Sequence, residues 1–103
     1  MCRDMSSLDR GLLILTSLAE GDKHGYALMQ DIERFADTRL GPGSLYGALG
    51  RLEDDGLVVA LPPDARRRPY RMTVLGAEVL EEELTAKAKL ARIGLRRLGS
   101  RGE

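Results

Sequence analysis

Residues 41–56 read GPGSLYGALGRLEDDG, and this stretch decides the fold. Proline is well tolerated in a first helical turn, so Gly41-Pro42 announces the start of a helix. Leu45, Leu49 and Leu52 then step by four and three, which sets them on one stripe facing a core. Gly43, Gly47, Gly50, Arg51 and Asp54 fall on the other side. Gly56 supplies the residue that commonly closes a helix. The expected element is leucine-rich inside and nearly bare outside.

Upstream, Leu8, Leu12, Leu15, Leu18 and Ala19 recur at helical spacing, with Ser7 or Asp9 as starts and Gly21 as the stop. Residues 1–7 read as a loose terminus. A second helix is expected from Asp22 or Lys23, burying Tyr26, Leu28, Met29, Ile32, Phe35 and Ala36. Asp37 to Gly41 form a short connection. Downstream the period changes. Leu57-Val58-Val59-Ala60-Leu61 reads as a strand, Pro62-Pro63-Asp64-Ala65 breaks it, and residues 68–73 alternate with Tyr70 and Met72 on one face. This is a two-stranded hairpin with an arginine-rich tip, and Pro69 belongs at a strand entrance or an open edge.

Thr73 can cap a last helix running from Val74 towards Leu98, about 37 Å long at ~1.5 Å per residue. Leu84, Ala88, Ala91, Leu95 and Leu98 step four, three, four, three along it, a seam resembling a coiled coil. Val79, Leu80, Leu90 and Ile93 add a second apolar side. A helix apolar on so much of its girth requires a partner surface, and in so small a protein the simplest partner is another copy. Leu12 on the first helix is expected to help at that interface.

The 103 residues, 43% hydrophobic and 31% charged, suit a folded chain of one compact unit. No apolar run approaches the ~20 residues of a membrane span, so no membrane partner is expected. The single cysteine, Cys2, cannot form an internal disulfide, which suits a cytoplasmic protein. Formal net charge is zero, yet residues 1–57 carry six Lys/Arg against ten Asp/Glu and residues 58–103 carry ten against six. Arg66, Arg67, Arg68 and Arg71 concentrate the positive excess in the hairpin. Such a cluster can grip a phosphate backbone even where the total charge is neutral.

Three helices, a hairpin and a long helix make a mostly α protein with a small β-hairpin, the order of a winged helix-turn-helix. In that architecture the third helix enters the DNA major groove and the hairpin reaches the flanking backbone. Residues 1–76 would form this DNA-binding unit and residues 77–103 a dimerisation helix and tail. The chain also resembles the PadR-like transcriptional regulators. The resemblance rests on His24-Gly25-Tyr26-Ala27-Leu28, on residues 43–53 from Gly43 to Glu53, on Asp55-Gly56-Leu57, and on residues 67–76 across the wing. It covers roughly residues 8–80 and points to the shorter branch, with one long C-terminal helix. It implies a homodimeric repressor of double-stranded DNA that responds to small molecules or stress. Where the family often has proline after the third-helix tyrosine, this chain has Gly47, so its groove contacts need not follow the family pattern.

The expected DNA-binding residues are Lys23, Gly43, Ser44, Tyr46, Gly47, Arg51, Arg66, Arg67, Arg68 and Arg71, with Arg39 a weaker candidate. Tyr46 either donates to a phosphate oxygen or half-buries its ring, and the motif favours the first. Ser44 either caps its own helix or meets phosphate at the helix N-terminus. Arg51 either touches DNA or pairs with Asp54 or Asp55. Consecutive Arg66, Arg67 and Arg68 repel one another, and a phosphate strand relieves that repulsion. His24, the lone histidine, lacks neighbours at metal-ligand spacing and reads as a packing or capping residue, so no metal or other cofactor is expected. Glu83 is set four residues before Lys87 for a helical ion pair. No phosphate loop or nucleophile elbow is present, so an enzyme is not expected. A winged-helix module that binds only protein is the alternative, because fold does not fix function.

Overall fold

The structure is a computed structural model that describes the backbone of residues 7–101. The expectations for Cys2 and for the terminus up to residue 6 fall outside those residues. The elements in chain order are α1 (Ser7–Leu18), β1 (Lys23–His24), α2 (Gly25–Ala36), α3 (Pro42–Asp54), β2 (Val58–Ala60), β3 (Pro69–Met72) and α4 (Val74–Arg101). The fold is therefore mostly helical, with a small antiparallel sheet and a long C-terminal helix.

The sheet has three strands in the order β1-β3-β2, not the two of the expected hairpin. Lys23 pairs with Tyr70 and His24 with Pro69, while Val58, Val59 and Ala60 pair with Met72, Arg71 and Tyr70. The second helix accordingly starts at Gly25, after Lys23 and His24 have formed an edge strand. Two residues are too few to show alternation, so β1 exists only because β3 offers it a free edge. Pro69 opens β3, at the entrance, where its missing N–H does least harm.

Packing around α1 holds the three helices, the sheet and the root of α4 together. Ile14, Leu15, Leu28, Ile32, Leu45 and Leu49 are each at most 1% exposed. Ile14 is buried and Ala19 exposed, contrary to the single stripe expected for α1, because this helix is enclosed from several sides. Tyr26 and Phe35 also depart from expectation, at 60% and 46% exposed. The buried face of α2 narrows to Gly25, Leu28, Asp31 and Ile32. Phe35 instead flanks an open groove of about 500 Å³ with Leu12, Leu13, Ala36 and Leu84.

A polar cluster joins α1 to α2. Ser17 Oγ donates to Asp31 Oδ2 at 2.6 Å and Arg34 Nη2 to Asp31 Oδ1 at 2.8 Å. The Ser17 hydrogen bond, aided by Lys23 and Arg34, holds the Asp31 carboxyl below its ordinary range against the opposing effect of burial.

Thr73 fastens the end of the wing to α4 as expected. Its Oγ1 accepts from Gly76 N at 3.0 Å and donates to the Gly56 carbonyl at 2.7 Å. A Cβ at Gly76 would collide with the Leu57 carbonyl, so only glycine lets α4 begin this close to the base of β2. Beyond Leu80, 7% exposed, α4 is largely exposed, and the molecule with this helix measures 59 × 26 × 21 Å. Lys87 reaches Asp9 on α1 at 3.9 Å, and that contact replaces the expected pair with Glu83. Among the described residues no helix is long and apolar enough to cross a membrane.

Candidate nucleic-acid interface

Pro42 sits in the first turn of α3, and Gly41 is its N-cap without a side-chain hydrogen bond. Leu45, Ala48, Leu49 and Leu52 face the core, all at 7% exposure or less. Gly43, Ser44, Tyr46, Gly47 and Arg51 are exposed on the outer side. Ser44 lies inside the first turn and does not occupy the cap position, so its hydroxyl remains on the outer surface. Arg51 makes no ion pair with Asp54 or Asp55.

Tyr46 is 49% exposed, with its hydroxyl over Gly25 at the first turn of α2. A Cβ at Gly25 would strike that hydroxyl, so the glycine of His24-Gly25-Tyr26 is the slot that admits the α3 tyrosine. The first turn of α2 thereby comes within reach of the outer face of α3.

The wing supplies the cations. Asp64 and Arg67 exchange backbone hydrogen bonds of 2.7 and 3.0 Å across a tight turn whose Ala65 has a left-handed φ of 58°. This turn drives the side chains of residues 66–68 out of the sheet's ladder. Arg67 Nη1 lies 3.1 Å from His24 Nε2, and Arg68 Nη1 donates to the Leu61 carbonyl at 3.0 Å. Arg66 has no hydrogen-bond or ion-pair partner among the described residues. His24, Gly25, Tyr26, Tyr46, Arg66, Arg67 and Arg68 together line a recess of about 150 Å³.

The other expected residues lie elsewhere. Lys23 is turned inward, its side chain 13% exposed, and its ammonium is held by Glu20 at 2.8 Å and by the Ser17 carbonyl. The structure thus removes Lys23 from the outer surface, because the β1 register points it at the α1–α2 cluster. Arg71 is exposed but donates twice to Asp22, at 3.1 and 2.9 Å. That hydrogen bonding holds the Asp22 carboxyl below its usual range and raises Arg71 in turn. Arg39 is paired with Glu33 at 3.1 Å. Tyr26, read from the sequence as core, is the lining residue that periodicity missed; its place at the opening of α2, beside His24-Gly25, was the available signal.

Of the residues expected at a dimer contact, Leu84, Leu95 and Leu98 are 42%, 69% and 60% exposed on α4, and Ala88 and Ala91 are also exposed. Leu12 is 5% exposed and belongs to the core of its own chain. Among the described residues no group of three metal-ligating side chains comes together.

Comparison with known proteins agrees with this geometry. Residues 14–82 match the model of the transcriptional regulator PadR-like family. The chain is 40% identical over 84 residues to the transcriptional regulator Rv3488 of Mycobacterium tuberculosis, covering 79% of this chain and 78% of that protein. It is 47% identical over 87 residues to an uncharacterised 37.1 kDa protein in transposon TN4556 of Streptomyces fradiae, covering 84% of this chain but only 25% of that protein's length. Among solved structures, a transcriptional regulator from Clostridium thermocellum superimposes with a TM-score of 0.73 at 26% identity, over 82% of this chain and 84% of that one. A PadR family transcription regulator from Clostridium difficile superimposes with a TM-score of 0.79 at 22% identity, over 86% and 97%, a likeness of fold. With a family match over two thirds of its length and a winged arrangement to go with it, this chain belongs to the PadR-like family of transcriptional regulators.

Proposed function

We propose that the protein is a cytoplasmic, sequence-specific repressor that binds a pseudo-palindromic operator as a homodimer and is released by a small-molecule effector. The observation that carries the DNA-binding part is the recess that brings Tyr46 of α3 beside Arg66, Arg67 and Arg68 of the wing. A helix with a glycine-rich outer face can approach base edges closely, while the adjoining guanidiniums replace counterions along the backbone. Leu90, Leu95 and Leu98, each at least 60% exposed on α4, support a second copy as partner. Two such helices would set the α3 helices about one DNA turn apart, ~34 Å. An effector at their junction would act through its differential affinity for the DNA-competent arrangement. No catalytic role is proposed.

Selection of bound fragments from the source genome, followed by salt titration on the recovered site, tests this reading. Affinity should fall steeply with salt, and Arg66→Ala should flatten the log–log slope by about one. A flat slope that ignores Arg66 would instead point to a protein-binding module. Leu95→Glu should halve the sedimentation mass and abolish operator binding; an unchanged mass would remove the dimer. Reporter expression from the recovered site, with and without the protein, decides repression against activation.

A further inference from the structure

We infer that the recess between the first turn of α2, Tyr46 and the wing is the seat of a single phosphate group of the DNA backbone, and that Arg67 leaves His24 to hold it. This inference rests on the proposed DNA binding and names one contact within it. The recess of about 150 Å³ has room for several waters, each of about 30 Å³, and so for one tetrahedral oxyanion. Its lining consists almost wholly of donors. Arg66, Arg67 and Arg68 bring guanidiniums, and Tyr26 and Tyr46 bring hydroxyls. Among these, Arg66 and the Tyr46 hydroxyl have no hydrogen-bond partner among the described residues.

The hydrogen bonding of His24 is a compromise. Guanidinium only donates, so the 3.1 Å contact with Arg67 requires Nε2 to accept and puts the ring proton on Nδ1. Capping of α2 requires the opposite tautomer, with Nδ1 accepting from Ala27 N, and that contact is long at 3.4 Å. A neutral imidazole cannot serve both. An oxyanion in the recess offers Arg67 a charge-assisted bond in place of a neutral one, which frees Nδ1 to cap the helix. The proton on the ring moves from Nδ1 to Nε2, so its charge stays the same. The seat is shallow, with Tyr26 60% and Tyr46 49% exposed, which suits a phosphodiester on a passing strand rather than a free phosphate enclosed on all sides.

Methylphosphonate substitution, one position at a time along the operator recovered above, tests the seat. In the wild-type dimer one neutralised phosphate per half-site should cost about 10-fold or more in affinity. In Tyr46→Phe, which keeps the ring in its slot, and in Arg66→Ala, the same substitution should cost less than about 2-fold, because the partner is already lost. In parallel, the 15N signals of His24 should exchange the Nδ1–H pattern for the Nε2–H pattern when the duplex is added. An operator that binds with no phosphate position coupled to Tyr46 or Arg66 overturns the seat while leaving the proposed function standing. Failure of the wild type to bind any duplex overturns both. If inorganic phosphate at constant ionic strength produces the histidine exchange at millimolar concentration and the duplex does not, the strand is the wrong source and the inference fails.

Discussion

The two faces of α3 are opposite in character, although one backbone carries both. Inward, Leu45, Ala48, Leu49 and Leu52 fill the core. Outward, Gly47 and Gly50 occupy helix-interior positions where each lowers helix stability by ~1 kcal/mol relative to alanine. No close packing asks for them: nothing lies within 4 Å of a Cβ at Gly50, and at Gly47 the nearest atom is the tip of Arg51 at 4.0 Å. The contrast with Gly25 and Gly76 is instructive, since at those positions a neighbour fills the space a methyl would need. Glycine at 25 and 76 serves the fold. On the outer face of α3 no neighbour in the chain requires it.

The strongest way to break this division is Leu49→Ala. Emptying a site only 1% exposed should lower the unfolding free energy by about 2–5 kcal/mol in a denaturant titration, with operator affinity of the remaining folded protein little changed. A loss below about 1 kcal/mol would mean the inward face is not where the stability resides. Gly47→Ala should act in reverse, raising stability by about 1 kcal/mol while weakening operator binding by about 10-fold or more. Unaltered affinity there would show that the outer face keeps its distance from DNA.

The smallest effect is a pH control on α2, away from both faces. The folded carboxyl of Asp31 titrates below its ordinary value of 3.8, so the native state holds its proton less tightly than the unfolded chain does. Its stabilisation is complete above that value and fades as pH falls through the lowered folded one. Asp31→Asn should therefore flatten the acid limb of the stability profile without touching the salt dependence of DNA binding. A steep acid limb that persists in the variant would assign it to other carboxylates.

Much of the fold was legible because its signals are periodic or chemical in kind. The Leu45/Leu49/Leu52 stripe, the proline at the start of α3, the arginine tip and the Thr73 cap all appear in the structure where spacing and side-chain chemistry put them. The exceptions arise where a contact outside the element's own repeat decides them. β1 has no pattern of its own and takes its register from β3. Lys23 turns inward because Glu20 and the Ser17 carbonyl receive it. Tyr26 and Phe35 have core chemistry, yet they lie where α2 overhangs the recess and the groove. Of the candidate site, the wing arginines and Tyr46 could be read directly. The joining of Tyr46 to Gly25 could not, since it spans two helices.

The tight seat of Gly76 under Leu57 has a mechanical consequence. It fixes the root of a 28-residue rod, about 42 Å long at ~1.5 Å per residue, to the base of the finger that carries the arginines. One degree of tilt about that pivot swings the far tip by about 0.7 Å. Only Thr73 separates the finger from the rod, so no loop lies between them to absorb such a tilt.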